Sequence, residues 1–294
     1  FSENIGEKFK YYQFRSTVNP FGVIFQPLAI EKLITKSIKK ELFSEKDNFC
    51  HNGHWHSFYA HSSISATSSE EALNNLNMAL LLLRESLLNA SHIIIALGTA
   101  WVYRFLESGL LVANCHKIPQ KKFSKELLSP DEIKNSLQNI LLSIREHNAK
   151  ATVIFTLSPV RHLKDGFVEN QRSKANLISA LHTALEKSNI RIEGRGEVYF
   201  PAYEIMMDEL RDYRFYAEDM VHPNALAINY IWEKFKQVFI ASTTHTLMDE
   251  VASIQNGLAH RPFNPQSEEY KNFLENLQQK MASLKTKLPH AQFT

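Results

Sequence analysis

The sequence predicts an α/β fold, with a doubly wound, mostly parallel sheet between helices and a helical appendage at the C-terminal end. Three observations predict this fold. Segments with helical period alternate with short β-branched runs over most of the 294 residues. Two continuous apolar runs, at 92–97 and 151–157, are typical of strands buried in a parallel sheet. The tail after residue 257 has no such run and is charged and rich in glutamine.

The first third of the chain is predicted to contain helices and one strand. Ser2 can cap the first helix. In the last of these helices Ser68 or Ser69 is the cap, and Glu70 and Glu71 lie in the first turn, where a helix favours negative charge. The predicted bounds are helix 1–11, strand 13–18, helix 27–40 and helix 69–89.

The remainder of the chain alternates strands with helices. Strand 92–97 leads into a hairpin over 101–113 that turns at Glu107-Ser108-Gly109. Ser129 opens the next helix, and Pro201 interrupts the last strand-like run. The further predicted bounds are helix 130–147, strand 151–157, helix 170–187, strand 198–203, helix 225–240 and, after a loop at 260–265, helix 266–287.

Composition narrows the class of protein. With 44% hydrophobic and 22% charged residues the chain can bury a large core. The formal charge of +2 and the absence of any Lys/Arg block argue against nucleic-acid binding. Cys50 and Cys115 are too few for a disulfide framework, although a single bridge between them stays possible. No apolar run reaches the length of a membrane span, and we expect a cytoplasmic protein without a cofactor.

The stretch Asp219-Met220-Val221-His222, which precedes Pro223 and an apolar helical run, is the most informative. Pro223 can take the first helical position, because its missing N–H would be unpaired there. Asp219 would then be close enough to orient His222. An imidazole titrates near neutrality and can move a proton from a nucleophilic hydroxyl to a leaving group. On four residues alone, a loop acid beside a surface histidine is the simpler interpretation.

Glycine and polar residues follow the predicted strands, where a doubly wound sheet binds ligands. Gly22 closes a turn at 19–22, and its N–H could either face a ligand or only complete the turn. Gly98 ends a buried strand, and Thr99 could donate a hydrogen bond there. The alternative is a simple bend into the hairpin, with Trp101 in the core. Polar loops at 114–119 and 158–162 also follow strands, with a solvated loop as the alternative for each.

A run of four histidines could indicate a metal site, and the neighbours Cys115 and His116 could indicate a thiol nucleophile. The spacing favours neither. No acid lies at ligand spacing within the histidine run, so we expect no metal there. Cys115 and His116 are adjacent, and neighbours on an extended chain point to opposite faces, so His116 is a poor base for Cys115. The histidine run consists of His51, His54, His56 and His61.

Several blocks together resemble the GSCFA family, a branch of the SGNH (GDSL-like) hydrolase superfamily. The resemblance covers most of the chain. The blocks are FSENIGEK at 1–8, NPFG at 19–22, HS at 56–57, LGTAWVY at 97–103, NCHK at 114–117, SPVRH at 158–162, FPAYE at 200–204, AEDMVHP at 217–223 and HRPFNP at 260–265.

The resemblance implies a three-layer α/β/α sandwich over 1–242, with a helical extension over 243–294 packed on it. It implies that His222 is the catalytic base, that Asp219 orients it, and that Gly22 contributes to the oxyanion hole. Thr99 occupies the place where the superfamily has an asparagine donor. The residues expected to hold substrate are Trp101, Asn114, His116, Arg161 and His162.

The family's Gly-Ser-Cys would precede Phe1, so we expect the nucleophilic serine to lie outside the given sequence and the given chain to be inactive or nearly so. The resulting hypothesis is a serine hydrolase that acts on a small-molecule or carbohydrate acyl ester. An acyltransferase that uses the same acyl-enzyme and a non-catalytic binding protein on the same fold are the alternatives.

Overall fold

The computed structural model describes residues 1–186 and 196–293 and confirms an α/β chain with a parallel central sheet and C-terminal helices. The strands are β1 Phe49–His51, β2 His54–His56, β3 His92–Leu97, β4 Trp101–Phe105, β5 Leu111–Val112, β6 Phe123–Leu127, β7 Thr152–Leu157 and β8 Glu197–Phe200. The α-helices are α1 Ser2–Tyr11, α2 Pro27–Lys39, α3 Ser69–Asn89, α4 Pro130–His147, α5 Phe167–Glu186, α6 Ala202–Glu204, α7 Ala225–Phe239, α8 Ser242–Ala259 and α9 Glu268–Lys287.

The central sheet has the strand order β3-β7-β8, and both of its pairings are parallel. Leu97 pairs with Leu157 at the ends of β3 and β7, and Thr156 pairs with Phe200 at the end of β8. The carboxyl ends of the three strands therefore meet at one edge of the sheet. β3 has its predicted bounds, whereas β8 ends before Pro201, because proline cannot donate a ladder hydrogen bond.

The main core lies between this sheet and helices α2, α4 and α5. Val153, Phe155 and Leu157 alternate along β7 and all belong to the core, since alternate strand residues share a face. A capping box starts α4: the Ser129 hydroxyl accepts the Glu132 N–H at 3.3 Å, and the Glu132 carboxylate accepts the Ser129 N–H at 2.8 Å. The predicted bounds of α3 and α4 are confirmed.

The remaining strands pair antiparallel and form two small sheets apart from the central one. β4 pairs with β5 across the predicted turn and with β6 on its other side, so the hairpin is confirmed. β6 was not predicted, because its sequence FSKEL contains few strand formers. β1 and β2 form a second hairpin about Asn52 and Gly53, which both have positive φ. This Asn-Gly pair is a strong hairpin signal that the predicted elements left out.

One predicted strand is wrong, and one helix had no predicted bounds. Residues 13–18 form no strand, since no ladder partner exists for them in the described part of the chain. Helix α8 lies within the extension predicted to be helical, although no bounds were predicted for it. A methyl group on its Gly257 would be 2.8 Å from Leu277 Cδ1. This glycine thus permits close packing of α8 against Leu277 of α9. Helix α5 begins at Phe167 rather than 170, and its predicted end at Lys187 lies outside the described residues.

The chain divides into two compact units. The first comprises Phe1–Ser2 and Thr17–Ala227 and contains the sheets and the main core. The second comprises Glu3–Ser16 and the chain from Ile228 onward. In the second unit the Phe9 and Trp232 rings meet edge to face at 5.7 Å. The domain boundary predicted between 242 and 243 stays a prediction.

Candidate functional site

The Asp219 carboxylate and the His222 ring are directly bonded. His222 Nδ1 lies 2.6 Å from Asp219 Oδ2. Because a carboxylate only accepts, Nδ1 carries the hydrogen and Nε2 is the nitrogen free to accept a proton. The two side chains are 50% and 60% exposed, so this contact fixes the orientation of the ring rather than contributing much stability.

The second oxygen of Asp219 binds the backbone of its own loop. Asp219 Oδ1 accepts the N–H groups of Val221 and His222, each at 2.9 Å. The His222 N–H, followed by the His222 ring and the Val221 N–H, lowers the pKa of Asp219 to about 2. Asp219 is therefore ionised throughout the range in which an imidazole changes charge.

The loop that holds this pair is closed at its base. The Ala217 N–H donates to the His222 carbonyl at 2.7 Å. The Asn224 side chain donates to the carbonyls of Arg214 and Tyr216 and accepts the Ala227 N–H at 3.1 Å. Asn224 thus caps α7.

The prediction that Pro223 takes the first helical position is wrong. Helix α7 begins at Ala225, and Pro223 instead forms an isolated bridge with Tyr216. The physical reason is that the Asn224 side chain accepts a helix N–H, as the preferred N-cap residues do, which moves the start of the helix past the proline.

The loop is attached to the carboxyl end of β7. The Arg161 N–H donates to the Val221 carbonyl at 3.4 Å, and Arg161 Nη2 donates to the Met220 carbonyl. Parallel strands of an α/β sheet bind ligands at this edge. The acid and base therefore lie where the fold predicts a site.

His162 lies on the same segment and borders the site. Its N–H donates to Asn170 Oδ1 at 2.8 Å, and its ring is 5.4 Å from the ring of Phe25. Burial first, then the charge of Lys174, lowers the pKa of His162 to about 4, and His222 contributes to the same shift. His162 is thus neutral at physiological pH. A methyl group on Gly98 would be 2.8 Å from Phe25 Cβ and 3.3 Å from His162 Nε2, so only glycine fits there.

Lys174 is a buried residue that the sequence predictions missed. It is fully buried on α5, and its Nζ donates to the carbonyls of Gly98 at 2.8 Å and Ser158 at 2.7 Å. Burial lowers its pKa to about 7. The ammonium thus joins the residues that follow β3 and β7. A sequence signal existed, because Lys174 shares the helical stripe of Leu177 and Leu181.

Gln26 is a second buried polar residue without a predicted role. Its side chain is 4% exposed, and neither its Oε1 nor its Nε2 finds a hydrogen-bond partner among the described residues. It precedes α2, but its side chain does not cap that helix. Buried amides are normally paired, which makes this one unusual.

The two predicted oxyanion donors, Gly22 and Thr99, are hydrogen-bonded within the protein. The Gly22 N–H donates to the Asn19 carbonyl at 2.7 Å and closes its own turn, at φ 73°. The buried Thr99 hydroxyl lies 3.0 Å from the Ser173 hydroxyl and accepts the Trp101 N–H at 3.0 Å. Neither group is free to meet an oxyanion here.

Three predicted substrate contacts also serve internal structure. Trp101 Nε1 donates to the Glu169 carbonyl at 3.1 Å, and Asn114 Oδ1 accepts the His116 N–H at 2.8 Å. The His116 ring is buried against the Ser57 carbonyl, 2.7 Å from Nε2, and burial lowers its pKa to about 4. Of the five predicted contacts, Arg161 and His162 lie beside the acid–base pair, while the polar groups of Trp101, Asn114 and His116 are bound elsewhere.

The cysteines and histidines show no assembled metal centre. Within 1–186 and 196–293, no group of three or more His, Cys, Asp or Glu side chains is arranged to hold a metal ion. Both cysteines are free, and burial raises the pKa of Cys115 to about 11, which disfavours its thiolate. None of the helices described here is long and apolar enough to cross a bilayer.

Comparison with known proteins agrees with the sequence resemblance. The GSCFA family model matches residues 1–235, and the model of the GSCFA C-terminal domain matches residues 251–294. No curated protein and no solved structure matches the chain. Since the first match alone covers well over half of the sequence, the chain belongs to the GSCFA family.

Proposed function

We propose that this protein is a serine hydrolase of the SGNH type that cleaves acyl esters on a three-layer α/β/α sandwich. The observation that carries the proposal is the Asp219–His222 pair, bonded through Nδ1 at 2.6 Å and attached to the carboxyl edge of the parallel sheet. A carboxylate that fixes the imidazole tautomer is the arrangement that general-base activation of a hydroxyl requires.

The proposed mechanism uses His222 Nε2 as the base. The nucleophile is the serine that the family resemblance places ahead of Phe1. His222 takes the proton of that hydroxyl as its oxygen attacks the acyl carbon, and the tetrahedral intermediate then expels the alcohol, which receives the proton from His222. Water attacks the acyl-enzyme in the same way and releases the acid. Asp219 remains ionised and stabilises the imidazolium.

The position of Phe1 supports this mechanism. The Phe1 ring lies 5.8 Å from the ring of Phe200, the last residue of β8. The first residue and the Asp219–His222 loop thus both lie at the carboxyl edge of the central sheet, within the same compact unit.

The proposal is tested with the chain extended by Gly-Ser-Cys before Phe1, using p-nitrophenyl acetate as substrate. We expect turnover that falls by about 10³-fold or more in His222→Ala and in Asp219→Asn. His147→Ala, which removes an exposed histidine at the end of α4, is the matched control and should retain activity. Turnover that is absent, or indifferent to His222→Ala, defeats the proposal.

A non-catalytic binding protein on the same fold is the second candidate. The observation in its favour is that the Gly22 N–H and the Thr99 hydroxyl are both engaged within the protein. A fluorophosphonate probe separates the two functions, because only an activated serine is labelled. Labelling of the extended chain that disappears in His222→Ala supports the hydrolase, and no labelling supports the binding protein.

A further inference from the structure

Arg161 makes a set of contacts that a substrate-binding arginine would not need. It lies four residues beyond the end of β7 and is bonded twice to the loop of the acid and base. Its backbone N–H donates to the Val221 carbonyl, and its Nη2 donates to the Met220 carbonyl. Both acceptors lie between Asp219 and His222 in sequence.

Two tyrosines hold the guanidinium in place. Its central carbon lies 4.1 Å from the centre of the Tyr216 ring and 5.4 Å from that of Tyr213. Tyr216 is 9% exposed and pairs through its backbone with Pro223. An arginine over an aromatic face is attracted to the ring and loses little further freedom when it donates hydrogen bonds.

Met220 explains why the loop needs an external anchor. Its φ is 56°, in the left-handed region that side chains other than glycine, asparagine and aspartate rarely adopt. This conformation turns the chain so that the Val221 and His222 N–H groups both reach Asp219. A disfavoured conformation persists only where its surroundings hold it, and the Met220 carbonyl is the group that Arg161 holds.

We propose that Arg161 is the positioning residue of the Asp219–His222 pair, fixing the strained loop to the end of β7 with its guanidinium clamped on Tyr216. This role replaces the substrate contact predicted from the sequence. Its catalytic meaning rests on the proposed function, whereas the anchoring itself does not.

The anchoring is tested by nuclear magnetic resonance on the chain of residues 1–294, without any activity assay. Carboxyl titration reports the pKa of Asp219, and amide hydrogen exchange reports the Val221 and His222 N–H groups. In Arg161→Met we expect the pKa of Asp219 to rise from about 2 toward its ordinary value of 3.8 and both amides to exchange about tenfold faster. Arg161→Lys keeps one donor and the charge and should restore part of both effects.

Arg214→Met is the matched control. Arg214 lies close in sequence, and among the described residues its guanidinium pairs with Asp212 and lies over the Phe215 ring rather than bonding the 219–222 loop. We expect this variant to match the wild type in both measurements. Unchanged titration and exchange in Arg161→Met would overturn the proposal. If that variant does not fold, Arg161→Lys decides the test, since wild-type values for it also contradict the clamp.

Kinetics of the chain extended by Gly-Ser-Cys separate positioning from substrate binding. A positioning role predicts a fall in kcat on the order of 10²-fold in Arg161→Met with KM nearly unchanged. A substrate contact predicts a raised KM with kcat maintained, which contradicts the proposal. If the extended chain has no activity but the loop measurements change as expected, the proposed function fails and the anchor stands.

Discussion

Lys174 Nζ and the Gly98 carbonyl oxygen are hydrogen-bonded at 2.8 Å, entirely out of contact with solvent. The same ammonium binds the Ser158 carbonyl at 2.7 Å, so a single side chain of α5 joins the ends of two neighbouring strands. Ser158 leads into Arg161 and His162, which lie beside the acid–base pair, and Gly98 packs close to the His162 ring. Burying an ammonium costs free energy unless it is well hydrogen-bonded, so the charge of Lys174 depends on the folded structure.

The lowered pKa of Lys174 predicts that the folded chain becomes more stable as the pH rises. Its pKa is about 7 in the folded chain, below the ordinary value of 10.5. Between these values the unfolded chain binds a proton that the folded chain does not, so the free energy of unfolding increases with pH, by at most ~1.4 kcal/mol per pH unit. Urea unfolding at several pH values in this window should show the rise in the wild type and not in Lys174→Met. Equal slopes in the two proteins contradict the prediction.

The lowered pKa of Asp219 predicts a small loss of stability in acid, because solvent screens this half-exposed carboxylate. Its pKa is lowered from 3.8 to about 2, so its contribution is complete above 3.8 and disappears as the pH falls toward 2. Asp219→Asn should therefore lose less stability than the wild type between pH 5 and pH 2.5, measured by urea unfolding. Asp249→Asn, which changes an exposed acid of α8, serves as the control and should follow the wild type.

Thr99 is predicted to contribute to stability and not to the reaction. Its buried hydroxyl bonds Ser173 and the Trp101 N–H, so Thr99→Val should lower the free energy of unfolding by about 1–3 kcal/mol. In the extended chain, kcat should change by less than about threefold, whereas loss of an oxyanion donor costs on the order of 10²–10³-fold. A loss of the larger size would restore Thr99 to the oxyanion hole.

Gln26 is predicted to be dispensable for folding. Its amide is buried without a partner among the described residues, and such a group costs ~1–3 kcal/mol. Gln26→Met has nearly the same shape and should leave the melting temperature unchanged or raise it. A drop in kcat on the order of 10²-fold in the extended chain, with folding intact, would instead assign this amide to the reaction.

Local patterns predicted the regular elements well. Helix α3, helix α4 and strand β3 have their predicted bounds, because a cap, a period or a continuous apolar run defines each of them within a few residues. The Asp219–His222 contact was predictable for the same reason, since both residues belong to one short loop. Residues 13–18 show the opposite case, because a strand depends on partners that the local sequence does not reveal.

Long-range contacts account for what the sequence did not predict. That Thr99 follows a buried strand says nothing about where its hydroxyl points, and the partner Ser173 lies 74 residues away. Lysines are nearly always solvated, so the sequence provided no reason to single out Lys174 beyond its place in an apolar stripe. Arg161 was expected to face a ligand, and only the three-dimensional structure shows the tyrosines that hold it.

Asn224 has a consequence for how this protein can be engineered or can diverge. Its side chain accepts the Ala227 N–H at the start of α7 and donates to the carbonyls of Arg214 and Tyr216. These hydrogen bonds close the segment from 214 to 224 and fix its length. Inserting or deleting a single residue within that segment would rotate the His222 imidazole or break the bond by which Asn224 caps α7. We therefore expect the segment from 214 to 224 to keep its length, whereas substitution of exposed side chains such as Glu218 should be tolerated within it.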